Sequence, residues 1–389
     1  MNNITKVLNQ IKKHCPKSAT LPILQNVLLE LEDGILRLTT TNLNSTASVA
    51  IPNVGNNMRI TSNLKTLEKV VASMGDPISF ELDVKERKET RQVYNADTNT
   101  REPQDVIVTV SKLVVSDSGT RAVLETIDAD EFPLRAEKGE LLGEIDLAGV
   151  ERVYPFAGCD SSRPVLECVL FELHSGRVIA ADGFKLAVLR KGIKPAFPER
   201  NLLISADALS KLPRGAVKAN LFLGKDTATL EFNTGFTLIA RIPEGIFPDY
   251  EQSIPKHFNS EFTANVEQWL NAVKGVKVFA DDTYGITRHS ITGNTMTVSA
   301  KDGEGNVIQK ELPATKTGAY PVFTLNNKHL TTTLKACVSD EVVVKLTMPE
   351  LPETQYEVTP STKPIVIEDG NWLAAIMPMH DFQGREKGD

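Results

Sequence analysis

The residues best suited to chemistry are Asp182, in the run Ala181-Asp182-Gly183-Phe184-Lys185, with Asp160 and His174 as conceivable neighbours. A carboxylate beside an imidazole is the raw material of an acid–base pair. The local pattern offers a simpler account, because Asp-Gly is the expected composition of a turn after a hairpin strand. The wider sequence does not strengthen the catalytic reading. It has no G-x-x-x-x-G-K-[ST] phosphate loop, no H-E-x-x-H pair and no G-x-S-x-G elbow. The six histidines are scattered, and no pair has metal-ligand spacing. Cys15, Cys159, Cys168 and Cys337 form no C-x-x-C pair, so they read as small buried or half-buried side chains. No cofactor or metal is expected.

The elements around these residues repeat. Residues 27–40, 169–182 and 286–300 each read as an alternating strand, a tight turn carrying Gly34, Gly176 or Gly293, and a second alternating strand. Their spacing of well over a hundred residues marks a domain-scale triplication. Helical stripes punctuate the strands twice per repeat. The first repeat has Ile4, Val7, Leu8 and Ile11, then Leu64, Leu67, Val71 and Met74. The second has Leu147, Val150 and Tyr154, then Leu209 and Leu212 behind Ser205 as N-cap. The third has Val266, Trp269, Leu270 and Val273, then Leu330, Leu334 and Cys337.

Pro-containing stretches, DADEFP around Phe132-Pro133 and EGIFPDYEQSIP at 244–255, close the first two repeats. The expected domains are therefore 1–139, 140–258 and 259–389. Each is α+β, with two helices packed on antiparallel sheets. Residues 84–105 are polar and aperiodic, and read as an extended hairpin loop or mobile insertion in the first domain.

Opposite the apolar stripes lie cations: Lys6 and Lys13, Lys65 and Lys69, Arg152, Lys211 with Arg214, Lys274, and Lys328 with Lys335. Lysine favours exposed helix faces in any protein, which explains one helix taken alone. Segregation of so many in an acidic chain is the feature that suggests a phosphate-tracking surface. Composition sets the outer bounds. A chain of 389 residues exceeds one ordinary domain, and 41% hydrophobic residues suffice for packed cores. The net charge of −7 argues against strong nonspecific nucleic-acid binding by the surface as a whole, yet a local basic face is compatible with it. No run approaches the length of a membrane span, and the first fifteen residues lack a signal-type apolar core. The expectation is a cytoplasmic protein with no membrane partner.

Four segments, TLPILQNVLLELEDGILRLTTTNL at 20–43, ADGFKLAV at 181–188, EGIFPDYEQSIP at 244–255 and IMPM at 376–379, resemble the bacterial DNA sliding clamp, the β subunit of DNA polymerase III. The resemblance runs in order along nearly the whole chain. It implies three domains of the DNA clamp fold, two chains closed head to tail into a homodimeric ring around duplex DNA, and a non-catalytic processivity factor for replication. It also implies tethering of DNA polymerase, clamp loader and repair proteins through short peptide motifs.

Carried over position by position, the resemblance implies a partner-peptide groove. Arg163, Val165 and Leu166 would lie at its start, with Ala181, Gly183, Phe184, Lys185 and Leu186 beside them. Pro248, Asn326, His329 and the C-terminal Met377, Pro378, Met379 and His380 would complete it. A flexible, polarisable Met pair suits a groove that accepts many peptides. The ten cations above would face DNA. Arg121 and Leu124 on an edge strand, with Val278 and Phe279, would form the dimer interface.

The chain departs from the clamp pattern in places. Phe184-Lys185 stands where His-Arg is common, Glu251-Gln252-Ser253 follows FPDY, and Ala206-Asp207 replaces a basic pair. His380 replaces an Arg, and the chain continues as DFQGREKGD. A protein-binding scaffold built from the same repeats, without DNA encirclement, is the alternative to the clamp reading.

Overall fold

The computed structural model describes residues 3–95, 100–133, 136–160, 162–190, 201–280, 285–318, 321–348 and 362–379. It divides into two compact units, residues 1–144 with 211–241, and residues 145–210 with 242–389.

The first unit carries helices α1 (Asn3–Ile11) and α2 (Leu64–Ala72), each burying the stripe that the spacing predicts. Asn63 caps α2 by accepting from Thr66 N–H at 3.2 Å. The helices accompany an antiparallel sheet ordered Met58–Asn63, Asn26–Glu32, Ile35–Thr41, Ser45–Pro52, Phe236–Arg241, Thr227–Phe232, Lys218–Leu223, Glu140–Asp146. The hairpin at Asp33-Gly34 turns with φ of 50° and 77°, the left-handed pair that matches the twist of flanking strands. Strands of the first and second sequence repeats thus share one sheet, through Ser45–Pro52 against Phe236–Arg241.

A second sheet in this unit pairs Ser79–Asn95 with Thr100–Ser116, and the latter with Arg121–Glu125. The polar run 84–105 is mostly strand: the antiparallel register runs unbroken from Ser79↔Ser116 to Asn95↔Thr100. The third strand covers only Lys112 to Ser116, so beyond it the hairpin continues as a two-stranded ribbon.

The second unit contains α3 (Ala206–Ser210), α4 (Val266–Val276) and α5 (Asn327–Ala336). Its antiparallel sheet runs Asn201–Ser205, Cys168–Glu172, Arg177–Ala181, Lys185–Leu189, Trp372–Ile376, Ile365–Asp369, Glu341–Leu346, Ser260–Asn265, Val307–Gly318, Thr295–Lys301, Ile286–Thr292, Val322–Asn326. The second and third repeats join where Lys185–Leu189 pairs with Trp372–Ile376. The core under α4 and α5 stacks Phe262, Trp269, His289 and Phe323, with His289 lying face-on to Phe323 at 4.8 Å. Burying each apolar side chain contributes about 1.5–3 kcal/mol.

One expected helix is absent. Residues 147–156 form two 3-10 turns, Val150–Arg152 and Tyr154–Phe156. Gly149 enters in the left-handed region at φ 86°, and Pro155 removes a backbone donor. The buried apolar positions are Leu147, Val150, Val153 and Phe156, and Tyr154 is only half-buried.

Candidate binding groove and charged surfaces

The turn between Arg177–Ala181 and Lys185–Leu189 builds one wall of the groove. Asp182 Oδ1 accepts from the N–H groups of Phe184 and Lys185, both at 2.8 Å, and Oδ2 meets Lys185 Nζ at 2.6 Å. Asp182 is thereby occupied as a turn-forming anchor, which answers the catalytic reading. Gly183, at φ 91°, turns the chain where a Cβ would approach Arg163 Nη1 to 3.4 Å. Phe184 is thrown outward, 59% exposed, with its ring stacked on His329 at 6.0 Å. Its carbonyl accepts from Met377 N–H at 2.8 Å, which fixes the C-terminal strand beside the turn.

Between these parts lies a cavity of about 200 Å³. Leu166, Leu186 and Ala375 form its apolar floor, and Phe247, Pro248 and Tyr250 come from the segment that closes the second repeat. Met377, 42% exposed, stands at the mouth. Arg163 lies on the wall and pairs with Asp160 at 3.5 Å. Burial, first of all, lowers the affinity of His329 for a proton, with Lys185 and Lys328 adding to it and Asp182 opposing; its ring is neutral at pH 7. The result is an apolar slot with one exposed cation, Arg163, and one exposed carboxylate, Asp249, on its lining, suited to a Leu- or Phe-type side chain.

Of the expected groove residues, Arg163, Leu166, Ala181, Gly183, Phe184, Lys185, Leu186, Pro248 and Met377 line this cavity. Val165 packs behind it. Asn326 is spent capping α5, accepting from Lys328 and His329 N–H. Pro378 and Met379 are off the cavity wall: Met379 N–H donates to Thr324 O at 2.8 Å, and Thr324 Oγ1 donates back to the Met379 carbonyl. His380 lies outside the described residues. Phe247, Asp249, Tyr250, Ser253, Pro364 and Ala375 also line the cavity and were not expected. Ala375 could have been found, since strand alternation puts it on the same face as Met377.

The helix cations divide into two groups. Lys6, Lys13, Lys65 and Lys69 in the first unit are exposed opposite the buried stripes, and Lys12 pairs with Glu68 at 2.7 Å between α1 and α2. Lys274, Lys328 and Lys335 are exposed on α4 and α5, and Arg214 is exposed beyond α3, while Lys211 is half-buried. Arg152 is a correction. It is buried, meets Asp369 at 2.5 Å, donates from Nε to the Ala336 carbonyl and lies over Trp372. The 3-10 geometry turns it inward, so it offers no charge to solvent.

At the expected interface, Arg121 and Val123 are exposed and Val278 is 79% exposed, while Phe279 rests against the unit's own core. Leu124 is also a correction, because strand alternation aims it into its own unit at 8% exposure. Arg121–Glu125 is an edge strand of its three-stranded sheet. All four cysteines are free, and burial pushes Cys15 up to about 11 and Cys168 and Cys337 up to about 12. Among the described residues no helix is long and apolar enough to cross a membrane, and no His/Cys/Asp/Glu group is arranged to hold a metal.

Comparison with solved structures decides the fold. The beta subunit from DNA polymerase of Streptococcus pyogenes matches with a TM-score of 0.79 at 15% identity, covering 97% of this chain and 98% of that one. The chain has the fold of the bacterial sliding clamps. A clamp from Pseudomonas aeruginosa bound to griselimycin matches with a TM-score of 0.77 at 20% identity, covering 97% of each chain. Curated beta sliding clamps agree in sequence. That of Vibrio cholerae is 22% identical over 362 residues, spanning 89% of this chain and 91% of its own, and that of Escherichia coli K12 is 22% identical over 357 residues with the same coverage. No family model matches the chain.

Proposed function

We propose that the chain is a non-catalytic processivity factor of a DNA polymerase III, acting in the cytoplasm as a homodimeric ring around duplex DNA. The observation that carries the reading is the groove. Segments far apart in sequence, around residues 163–166, 181–186, 247–253 and 375–377, converge on one apolar slot within a clamp fold. Polymerase, clamp loader and repair proteins would each dock a short peptide there, and tethering raises their effective concentration at DNA. The exposed lysines of α1, α2, α4 and α5 would face phosphates, which carry no sequence information, so the ring would slide.

In this reading the chain comprises three repeats, 1–139, 140–258 and 259–389. The two compact units cut through the middle repeat because its strands enter both large sheets. Closure of the ring would use the free edge of Arg121–Glu125 on one protomer and the Val278–Phe279 region on the other. Light scattering tests the assembly: a species of twice the 42.7 kDa chain mass supports it, and a monomer at high concentration refutes it.

A further inference from the structure

A second cavity, of about 500 Å³, adjoins the groove. The strands that join the second and third repeats pair Leu186 with Ala375 and, two residues on, Val188 with Leu373. The first pair floors the groove, and the second pair, also buried, floors the neighbouring cavity. Strand alternation puts both pairs on one face, about 7 Å apart along the strands. Tyr250 lines both cavities. Its hydroxyl donates to Glu172 and accepts from Arg177, each at 3.0 Å, and the turn that it opens, Tyr250–Ser253, is exposed at Glu251, Gln252 and Ser253.

The two cavities differ in charge. The groove has one exposed cation and one exposed carboxylate, whereas Arg177, Arg190 and Lys256 line the second cavity against Glu251 alone. Partners outside the lining do not cancel that excess. Arg177 is answered by Glu251, with Glu172 at 3.8 Å from its Nε. Arg190 has Glu368 at 3.3 Å, but the same carboxylate also holds Lys345 at 2.7 Å. Lys256 is exposed and makes no ion pair among the described residues. Four cations therefore share three carboxylates, and the surplus is accessible at Lys256 and at Arg190, whose side chain is 49% exposed. An ammonium and a guanidinium above a small apolar floor recognise a carboxylate carried on a short methylene stem.

We propose, resting on the groove reading above, that this cavity receives an acidic side chain that flanks the partner's apolar anchor. With the anchor on Leu186 and Ala375, a Glu two or three residues away along an extended peptide reaches Lys256 and Arg190. Its methylenes cover Val188 and Leu373. The cavity thereby ranks partners that share one anchor, favouring those with an acid at this spacing over those with a neutral or basic residue there.

The test is calorimetry on the full chain with peptides that carry one Leu-Phe anchor and Glu, Gln or Lys two or three residues away, on either side. Expected is a Glu peptide that binds about fivefold tighter than its Gln counterpart, the upper scale of a partly exposed ion pair, with the preference shrinking at high salt. The double variant Arg190→Gln, Lys256→Gln should lose that preference while holding the Gln peptide as wild type does, and thermal melting establishes that it folds. Equal affinity for Glu and Gln peptides on both sides, or a Glu preference that survives the double variant, would overturn the flank site and leave the groove standing. Failure of every peptide to bind would overturn the groove reading and the flank site with it.

Discussion

Single side chains set both the acid sensitivity and the groove's selectivity. Burial pushes His289 from the ordinary imidazole value down to about 3, so its folded form stays neutral while the unfolded chain takes up a proton near pH 6.5. The stabilising contribution is complete above pH 6.5 and falls away as pH drops from there toward 3. His289→Phe should flatten that part of the stability–pH curve, measured by denaturant unfolding from pH 7 to 4. Arg152→Ala leaves Asp369 charged and buried without its partner, and should cost about 3–5 kcal/mol by the same measurement. In the groove, Met377→Ala should weaken a Leu-Phe peptide by about 1–2 kcal/mol in calorimetry, the scale of a lost apolar contact. Met379→Ala should cost less, because its backbone is tied to Thr324 away from the cavity. Equal losses for the two Met variants would contradict the assignment of the cavity wall.

At the level of elements, local patterns were legible and tertiary ones were not. The stripes of α1 and α2 bury as their spacing predicts, those of α4 and α5 do so at Trp269, Val273, Leu330 and Leu334 while Val266, Leu270 and Cys337 stay half-buried, and the glycine hairpins turn where expected, because both signals are local. The Leu147–Tyr154 stripe buries Leu147 and Val150 but forms no α-helix, since a left-handed Gly149 and Pro155 outweigh periodicity there. That failure misplaced Arg152, whose assignment to an outer face presumed an α-helix. The groove could be located only through resemblance, because nothing in the residues near 163, 184, 248 and 377 announces that they meet. The role of the 84–105 run was misread in part: charged residues at 85–88 hide strand alternation, yet they suit exposed strand edges that must not pair indiscriminately. If α1 and α2 face DNA, replacing Lys6, Lys13, Lys65 and Lys69 with Ala should reduce the salt dependence of DNA association and leave sequence preference unchanged. An unaltered slope in a salt titration would show that these lysines face bulk solvent. Phe279→Asp should give folded monomers in light scattering if Val278–Phe279 lies at ring closure.

For the whole molecule, an acidic chain and a DNA partner are compatible if retention comes from topology. Individual phosphate contacts can then remain weak, and the net charge of −7 carries little penalty. The direct measurement is retention on DNA after loading onto a nicked circular duplex, followed by gel filtration with and without linearisation. The account predicts that the chain co-elutes with circular DNA at moderate salt and is released when one cut opens the circle. Equal retention on circular and linear DNA, or none on either with an active clamp loader present, would contradict encirclement.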